Sequence, residues 1–140
     1  MCPLPTPSLK SKRSAMAKIL VVDDDEAIVQ LLQYLLAKDG HTVCVAHDGK
    51  EGLAIAKQES PELIILDVMM PEMDGFTVSG LLFQDPVLRR TPVLILTAHG
   101  SNRPILELVP NVRKYMKKPF EAEELLKNVR QLLGPQFGLL

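Results

Sequence analysis

Short apolar runs alternating with amphipathic segments predict an α/β fold, a doubly wound sandwich on a five-stranded parallel sheet. Two observations carry this. The runs at 18–23, 62–67 and 92–97 are short, rich in β-branched residues and apolar at successive positions, as strands covered by helices on both faces must be. Between the runs lie segments whose apolar residues recur every three or four positions, the spacing of helices that bury one stripe against a sheet.

The first strand, at 18–23, leads into a helix over 26–38, with Ile28, Leu31, Leu32 and Leu35 on one stripe and Gly40 as its stop. After a second strand at 41–46, Asp48 and Glu51 form a capping signal for a helix that runs to Glu59 and ends at Ser60-Pro61. The third strand, 62–67, is followed by a short helix over 76–84, weakened by Gly80 and closed by Asp85-Pro86. Its apolar residues Leu81, Leu82 and Phe83 are assigned to core packing rather than to an interaction patch.

A fourth strand at 92–97 precedes the least regular stretch, 98–111. Pro104 can open a helix there, but Pro110 closes it, so one or two turns fit and the fourth helix is expected to be shortened or irregular. A fifth strand at 112–117 leads to a last helix. That helix has Glu121, Glu123 and Glu124 in its first turn, Lys127 and Arg130 later, as the helix dipole prefers, and a stripe of Leu125, Val129 and Leu132. Gly134-Pro135 end it.

With 140 residues the chain holds one domain of ordinary size, placed at 17–134, with a disordered extension at 1–16 and a tail at 135–140. Sixteen basic residues against 17 acidic ones give a net charge of −1, so no basic field suggests nucleic acid. The Pro-, Ser- and Lys-containing start has no apolar stretch long enough for a signal peptide or membrane span. A disulfide between Cys2 and Cys44 would staple little, and a reducing cytoplasm is the expectation.

In an open parallel sheet, ligands bind beyond the carboxyl ends of the strands. Those ends carry Asp23, Asp24 and Asp25 on the first strand, Asp67 on the third, Thr97 on the fourth, and Lys117 and Lys118 on the fifth. Each has a bland reading: Asp24 or Asp25 as a helix cap, Asp67 as a turn acceptor, Thr97 as a strand residue, the lysines as a solvated edge. Together they converge on one rim. Carboxylates about 4 Å apart repel by roughly 4 kcal/mol per pair at an effective dielectric near 20, which a hard divalent cation offsets. Mg²⁺, or Mn²⁺ in its place, suits carboxylate, carbonyl and water ligands, whereas His41, His47 and His99 are too scattered to hold a softer metal. A carboxylate beside such an ion, with a lysine ammonium and a hydroxyl nearby, is arranged to receive a phosphoryl group.

The stretches "ILVVDDDE", "LIILDVMMPEMDGF", "TPVLILTA" and "KKPF", in this order and spacing, resemble the receiver domain of two-component response regulators over residues 17–134. The resemblance implies a flavodoxin-like sheet of order 2-1-3-4-5. It implies that Asp67 is the phosphoacceptor, with Asp24, Asp67 and the Met69 backbone carbonyl holding Mg²⁺ and Asp23 acting on the ion through water. Thr97 and Lys118 would bind the phosphoryl group, Tyr115 would change rotamer with Thr97, and the Lys118-Pro119 bond would be cis. Met69 and His99 would modulate access to the acceptor.

The function so implied is that of a stand-alone, cytoplasmic switch, a monomer or weak homodimer that takes its phosphoryl group from a sensor histidine kinase or histidine phosphotransfer protein. It would catalyse only its own phosphoryl transfer and dephosphorylation and would act on an unidentified downstream protein, not on nucleic acid or a membrane. The alternative is a pseudo-receiver, an interaction module whose output ignores phosphorylation, which the two prolines of 98–111 favour. A small-molecule phosphatase would need a general acid two residues past the nucleophile, where Met69 stands.

Overall fold

The strands lie in the order β2-β1-β3-β4-β5, all parallel, in a computed structural model that describes residues 17–98 and 110–134. They are β1 (Lys18–Val22), β2 (Thr42–Ala46), β3 (Leu63–Asp67), β4 (Val93–Thr97) and β5 (Val112–Lys117). Four α-helices accompany them among the described residues: α1 (Glu26–Lys38), α2 (Gly49–Glu59), α3 (Gly75–Phe83) and α4 (Ala122–Leu133). The expected short helix within 98–111, the N-terminal extension and the C-terminal tail lie outside the described residues or nearly so.

Alternation of side chains along the strands divides the core in two. Leu20, Val22, Ile64, Leu66, Val93 and Ile95 face one way and pack on α2 and α3, through Ala56, Val78 and Leu82. Ile19, Val21, Leu63, Ile65, Leu94 and Leu96 face the other way and pack on α1 and α4, through Val29, Leu32, Leu36, Leu125, Val129 and Leu133. The central strands β3 and β4 are buried at every position, which is the pattern their sequence shows. The edge strand β5 alternates, with Arg113 and Lys117 exposed.

Helix ends follow their caps. Asp25 accepts a hydrogen bond from the Ala27 N–H at 3.0 Å, Asp48 from Glu51 at 2.8 Å and Asp74 from Thr77 at 2.8 Å. Of the two candidates for capping α1, it is therefore Asp25 that does so, leaving Asp24 available.

Two buried stripes differ from the sequence expectation. On α1 the buried residues are Val29, Leu32 and Leu36, while Leu31 is 43% exposed and Ile28 and Leu35 are half-buried. On α4 Leu133 is buried and Leu132 only partly so. Both helices are apolar over more than one stripe, and the seat on the sheet selects which stripe is used. In α3, Leu82 is in the core as expected, Phe83 is half-buried beneath the Arg89 guanidinium, and Leu81 is 39% exposed. Cys44 is fully buried in β2, and Cys2 lies outside the described residues.

At the amino end of the sheet, His41 is buried and its Nδ1 accepts the Ala17 N–H at 3.2 Å. Burial lowers its pKa from 6.5, against the nearby Asp39 carboxylate, and Arg130 lowers it further. The folded state thus holds the neutral ring.

Leu32→Ala should cost about 2–5 kcal/mol, whereas Leu31→Ala should stay within about 1 kcal/mol; urea denaturation of the two variants distinguishes the observed stripe from its neighbour. Because the unfolded chain takes up the His41 proton first, stability should fall as pH drops through 6.5 toward the lower folded value. That slope should flatten in His41→Asn, read as denaturation midpoints from pH 7.5 to 5.5.

Candidate functional site

The parallel register brings the ends of β1 and β3 side by side, with Val22 opposite Leu66, so the next residue of each chain, Asp23 and Asp67, emerges on the same rim. Asp23 and Asp67 are buried and Asp24 is exposed, and the three carboxylates offer oxygens within 4.8 Å of one another. Lys118 joins two of them: its Nζ lies 2.9 Å from Asp23 Oδ2 and 3.3 Å from Asp67 Oδ1. Lys117, the other lysine considered, is exposed and pairs with Thr97 in the β4–β5 ladder.

The Lys118 backbone is tied to the end of β4. Its N–H donates to the Thr97 carbonyl at 2.9 Å, and the Lys118-Pro119 peptide is cis, as the resemblance implied. Asp23 is held equally firmly. Its Oδ1 accepts the Asp25 N–H at 2.9 Å, and its own N–H donates to the Ala46 carbonyl on β2 at 3.1 Å.

Burial, and next the neighbouring charge of Asp23, push the Asp67 carboxyl above its usual pKa of 3.8; the Lys118 ammonium and a bond from the Met69 N–H pull the other way and lose. For Lys118, burial opposes the charge, but the hydrogen bond to Asp23 and the charges of Asp23 and Asp67 outweigh it and raise the pKa above 10.5. One ammonium thus serves two buried carboxylates, with a third acid beside them. A donor set of this kind, all oxygen and over-supplied with negative charge, fits a hard divalent ion, and among the described residues Asp23, Asp24 and Asp67 form the group able to hold one.

Thr97 ends β4, buried, one residue beyond the Leu96 that pairs with Asp67. Tyr115 pairs with Ile95 and packs on the α2–α3 side of the sheet, the side toward which alternation also turns Thr97. The Met69 side chain, by contrast, is 60% exposed. His99 lies outside the described residues.

Two contacts at this site were not legible as such in the sequence. Gly75 lies so close to the acid that a Cβ there would sit 2.6 Å from the Asp67 carbonyl oxygen. Its N–H donates to the Val68 carbonyl at 3.1 Å. The next residue, Phe76, meets Tyr115 with ring centroids 6.2 Å apart and planes tilted by 39°. An aromatic residue following a turn glycine is the one sequence signal for the second contact.

The sequence profile described as "Response regulator receiver domain" matches residues 19–130. The chain belongs to this family. Among curated receivers, it is 44% identical over 117 residues to the alkaline phosphatase synthesis transcriptional regulatory protein PhoP of Bacillus subtilis (strain 168), covering 83% of this chain and 48% of that protein. The response regulator PleD of Caulobacter vibrioides is 44% identical over 117 residues, covering 83% of this chain and 26% of PleD. The receiver therefore spans half or less of the curated relatives it matches. Among solved structures, the chemotaxis protein CheY4 of Vibrio cholerae superposes with a TM-score of 0.78 at 36% identity, over 84% of this chain and 98% of CheY4. The receiver domain of the Pseudomonas aeruginosa sensor histidine kinase PA1611, solved with magnesium coordinated in its active-site cleft, gives a TM-score of 0.76 at 25% identity, over 85% of this chain and 98% of that one. This receiver shares the family's flavodoxin-like sheet and its place in two-component signalling.

Because ionised Asp67 is disfavoured by burial and by Asp23, Asp67→Asn should melt higher than the parent at pH 7 without metal. The folded pKa is raised, so the parent's deficit should shrink as pH falls through that value toward 3.8 and Asp67 takes its proton. Calorimetry of both proteins across pH 4 to 7 in chelator checks the sign.

Proposed function

We propose that this receiver accepts a phosphoryl group on Asp67 from the phosphohistidine of a sensor histidine kinase or a histidine phosphotransfer protein, and that the product alters the surface around β5 and α4. The observation that carries the reading is the single ammonium of Lys118 bonded to both Asp23 and Asp67, with Asp24 completing the acidic group. An Asp67 oxygen attacks phosphorus, the P–N bond breaks, and the imidazole nitrogen keeps the electron pair. Hydrolysis later returns Asp67 and inorganic phosphate.

Each neighbour has a defined part. Lys118 pairs with the negative charge that spreads over the transferring oxygens. Asp24 and Asp67, with the Met69 carbonyl, would hold Mg²⁺ or Mn²⁺, which supplies Lewis-acid neutralisation of the phosphoryl oxygens. Both Asp23 oxygens are already engaged, Oδ1 by the Asp25 N–H and Oδ2 by Lys118, which supports action on the ion through water rather than directly. The PA1611 receiver carries magnesium in its active-site cleft, which supports the same choice of ion. Thr97 binds a phosphoryl oxygen through its hydroxyl. The tyrosine on the neighbouring strand, Tyr115, then follows.

A cleft of about 450 Å³ between β5 and α4, lined in part by Tyr115, Lys117, Phe120 and Glu124, is where a changed Tyr115 would be read by a downstream protein. To move such a switch from 1:99 to 99:1, phosphoryl contacts must favour the active form by about 5.5 kcal/mol. Charge-assisted bonds to Lys118, Thr97 and the metal are of the strength required. No helix among the described residues is long and apolar enough to cross a membrane. The encounter with the kinase belongs, on this reading, to the cytoplasm.

Incubation with acetyl phosphate and Mg²⁺ should add about 80 Da, the mass of one phosphoryl group, in the wild type. Asp67→Asn should gain none, and chelator should abolish the gain. An unmodified wild type would refute the reading. Phosphorylation with no change in the amide spectrum would instead mark a receiver that has lost its switch, the pseudo-receiver alternative.

A further inference from the structure

The N-terminus of α3 touches the site at one end and the tyrosine of β5 at the other. Gly75 packs on the backbone of the expected acceptor: a Cβ there would lie 2.6 Å from the Asp67 carbonyl oxygen and 3.1 Å from the Val68 Cα. The Gly75 N–H bonds the Val68 carbonyl, and Asp74 caps the helix immediately before it. A shift of the Asp67–Val68 backbone therefore has no slack to absorb it before α3 is reached. One residue on, Phe76 is half-buried against the Tyr115 ring at 6.2 Å, within the range in which aromatic pairs interact favourably.

A second tie lies one turn further along α3. Asn111, buried just before β5, donates from Nδ2 to the Ser79 carbonyl at 3.1 Å, so helix and strand are joined at both ends of β5's first half. Ser79 Oγ and Asn111 Oδ1 beside this bond are buried and have no hydrogen-bond partner among the described residues. Polar groups left so are costly.

We propose that Phe76 is a positioning residue for Tyr115, and that α3, through Gly75 and Phe76, forms a second mechanical link from Asp67 to β5 alongside the one through Thr97. The link rests on the phosphorylation reading given above. Its consequence is that α3 responds when Asp67 is loaded and that the face of α3 carrying the exposed Leu81 becomes part of what a partner can sense. A ring is required at 76 rather than apolar bulk alone, because the contact is between two tilted aromatic rings. Phe76→Leu keeps most of the volume and removes the ring, and Phe76→Tyr restores it.

The test is a set of ¹H–¹⁵N and aromatic ¹H–¹³C spectra of the 140-residue chain with and without beryllium fluoride and Mg²⁺, for the parent, Phe76→Leu and Phe76→Tyr. In the parent, shifts are expected at Val68 and Thr97, at the Tyr115 ring and at α3 amides 78–82. Phe76→Leu should keep the Val68 and Thr97 shifts, while those of α3 and Tyr115 fall at least about two-fold, and Phe76→Tyr should restore them. Undiminished α3 and Tyr115 shifts in Phe76→Leu, or no restoration by Phe76→Tyr, overturn the link while leaving the phosphorylation reading intact. Loss of the Val68 and Thr97 shifts in Phe76→Leu also overturns it, since Phe76 would then serve the site itself. Absence of those shifts in the parent overturns the reading on which the link rests, and the link with it.

Discussion

The ammonium of Lys118 between Asp23 and Asp67 is the interaction on which the organisation of the rim depends. Two buried carboxylates side by side are unfavourable, and a lysine reaching in from the far edge of the sheet makes them tolerable. Its source is distant in sequence, 95 residues from Asp23 and 51 from Asp67. The bond therefore exists only when β1, β3, β4 and β5 are all in register. The site is in this sense a readout of the completed sheet.

The sheet supplies that register through its two-sided core. Because β3 and β4 are buried at every position, a slip of one residue would not expose an apolar face, and pattern alone would leave their alignment weakly determined. What pins it is volume: helices α2 and α3 on one side and α1 and α4 on the other interdigitate with alternating strand residues. Close approaches add to this. Cβ atoms at Gly49 and Gly52 would come within 2.9 Å of the Met73 carbonyl and of Val22, so α2 sits hard against both the loop after β3 and the last residue of β1. The same tightness that aligns the strands leaves the acid at the end of β3 coupled to its surroundings through the backbone, and α3 is the nearest element to receive a displacement.

The burden on Asp67 is electrostatic and only partly relieved in the protein alone: its pKa is raised despite the lysine, because burial and Asp23 together outweigh that one cation. A fold that disfavours the ionised form of such a group stores a preference for added positive charge or for neutralisation at that point.

Strand identity and order of elements were legible in the sequence because they rest on local properties: β-branched apolar runs, cap residues such as Asp48, and breakers such as Ser60-Pro61. The residues of the rim were legible too, since a parallel sheet places strand ends together whatever their distance along the chain. The tertiary structure alone decided which of several apolar stripes α1 and α4 bury, since Leu31 and Leu32 are equivalent until a sheet is placed beneath them. Likewise, it alone separated Asp25 as a cap from Asp24 as a rim acid, placed Lys118 rather than Lys117 on the carboxylates by geometry, and set Gly75 and Phe76 between Asp67 and Tyr115. Those outcomes turn on distances of an ångström or two between residues far apart in the chain, and local sequence pattern carries no information about such distances.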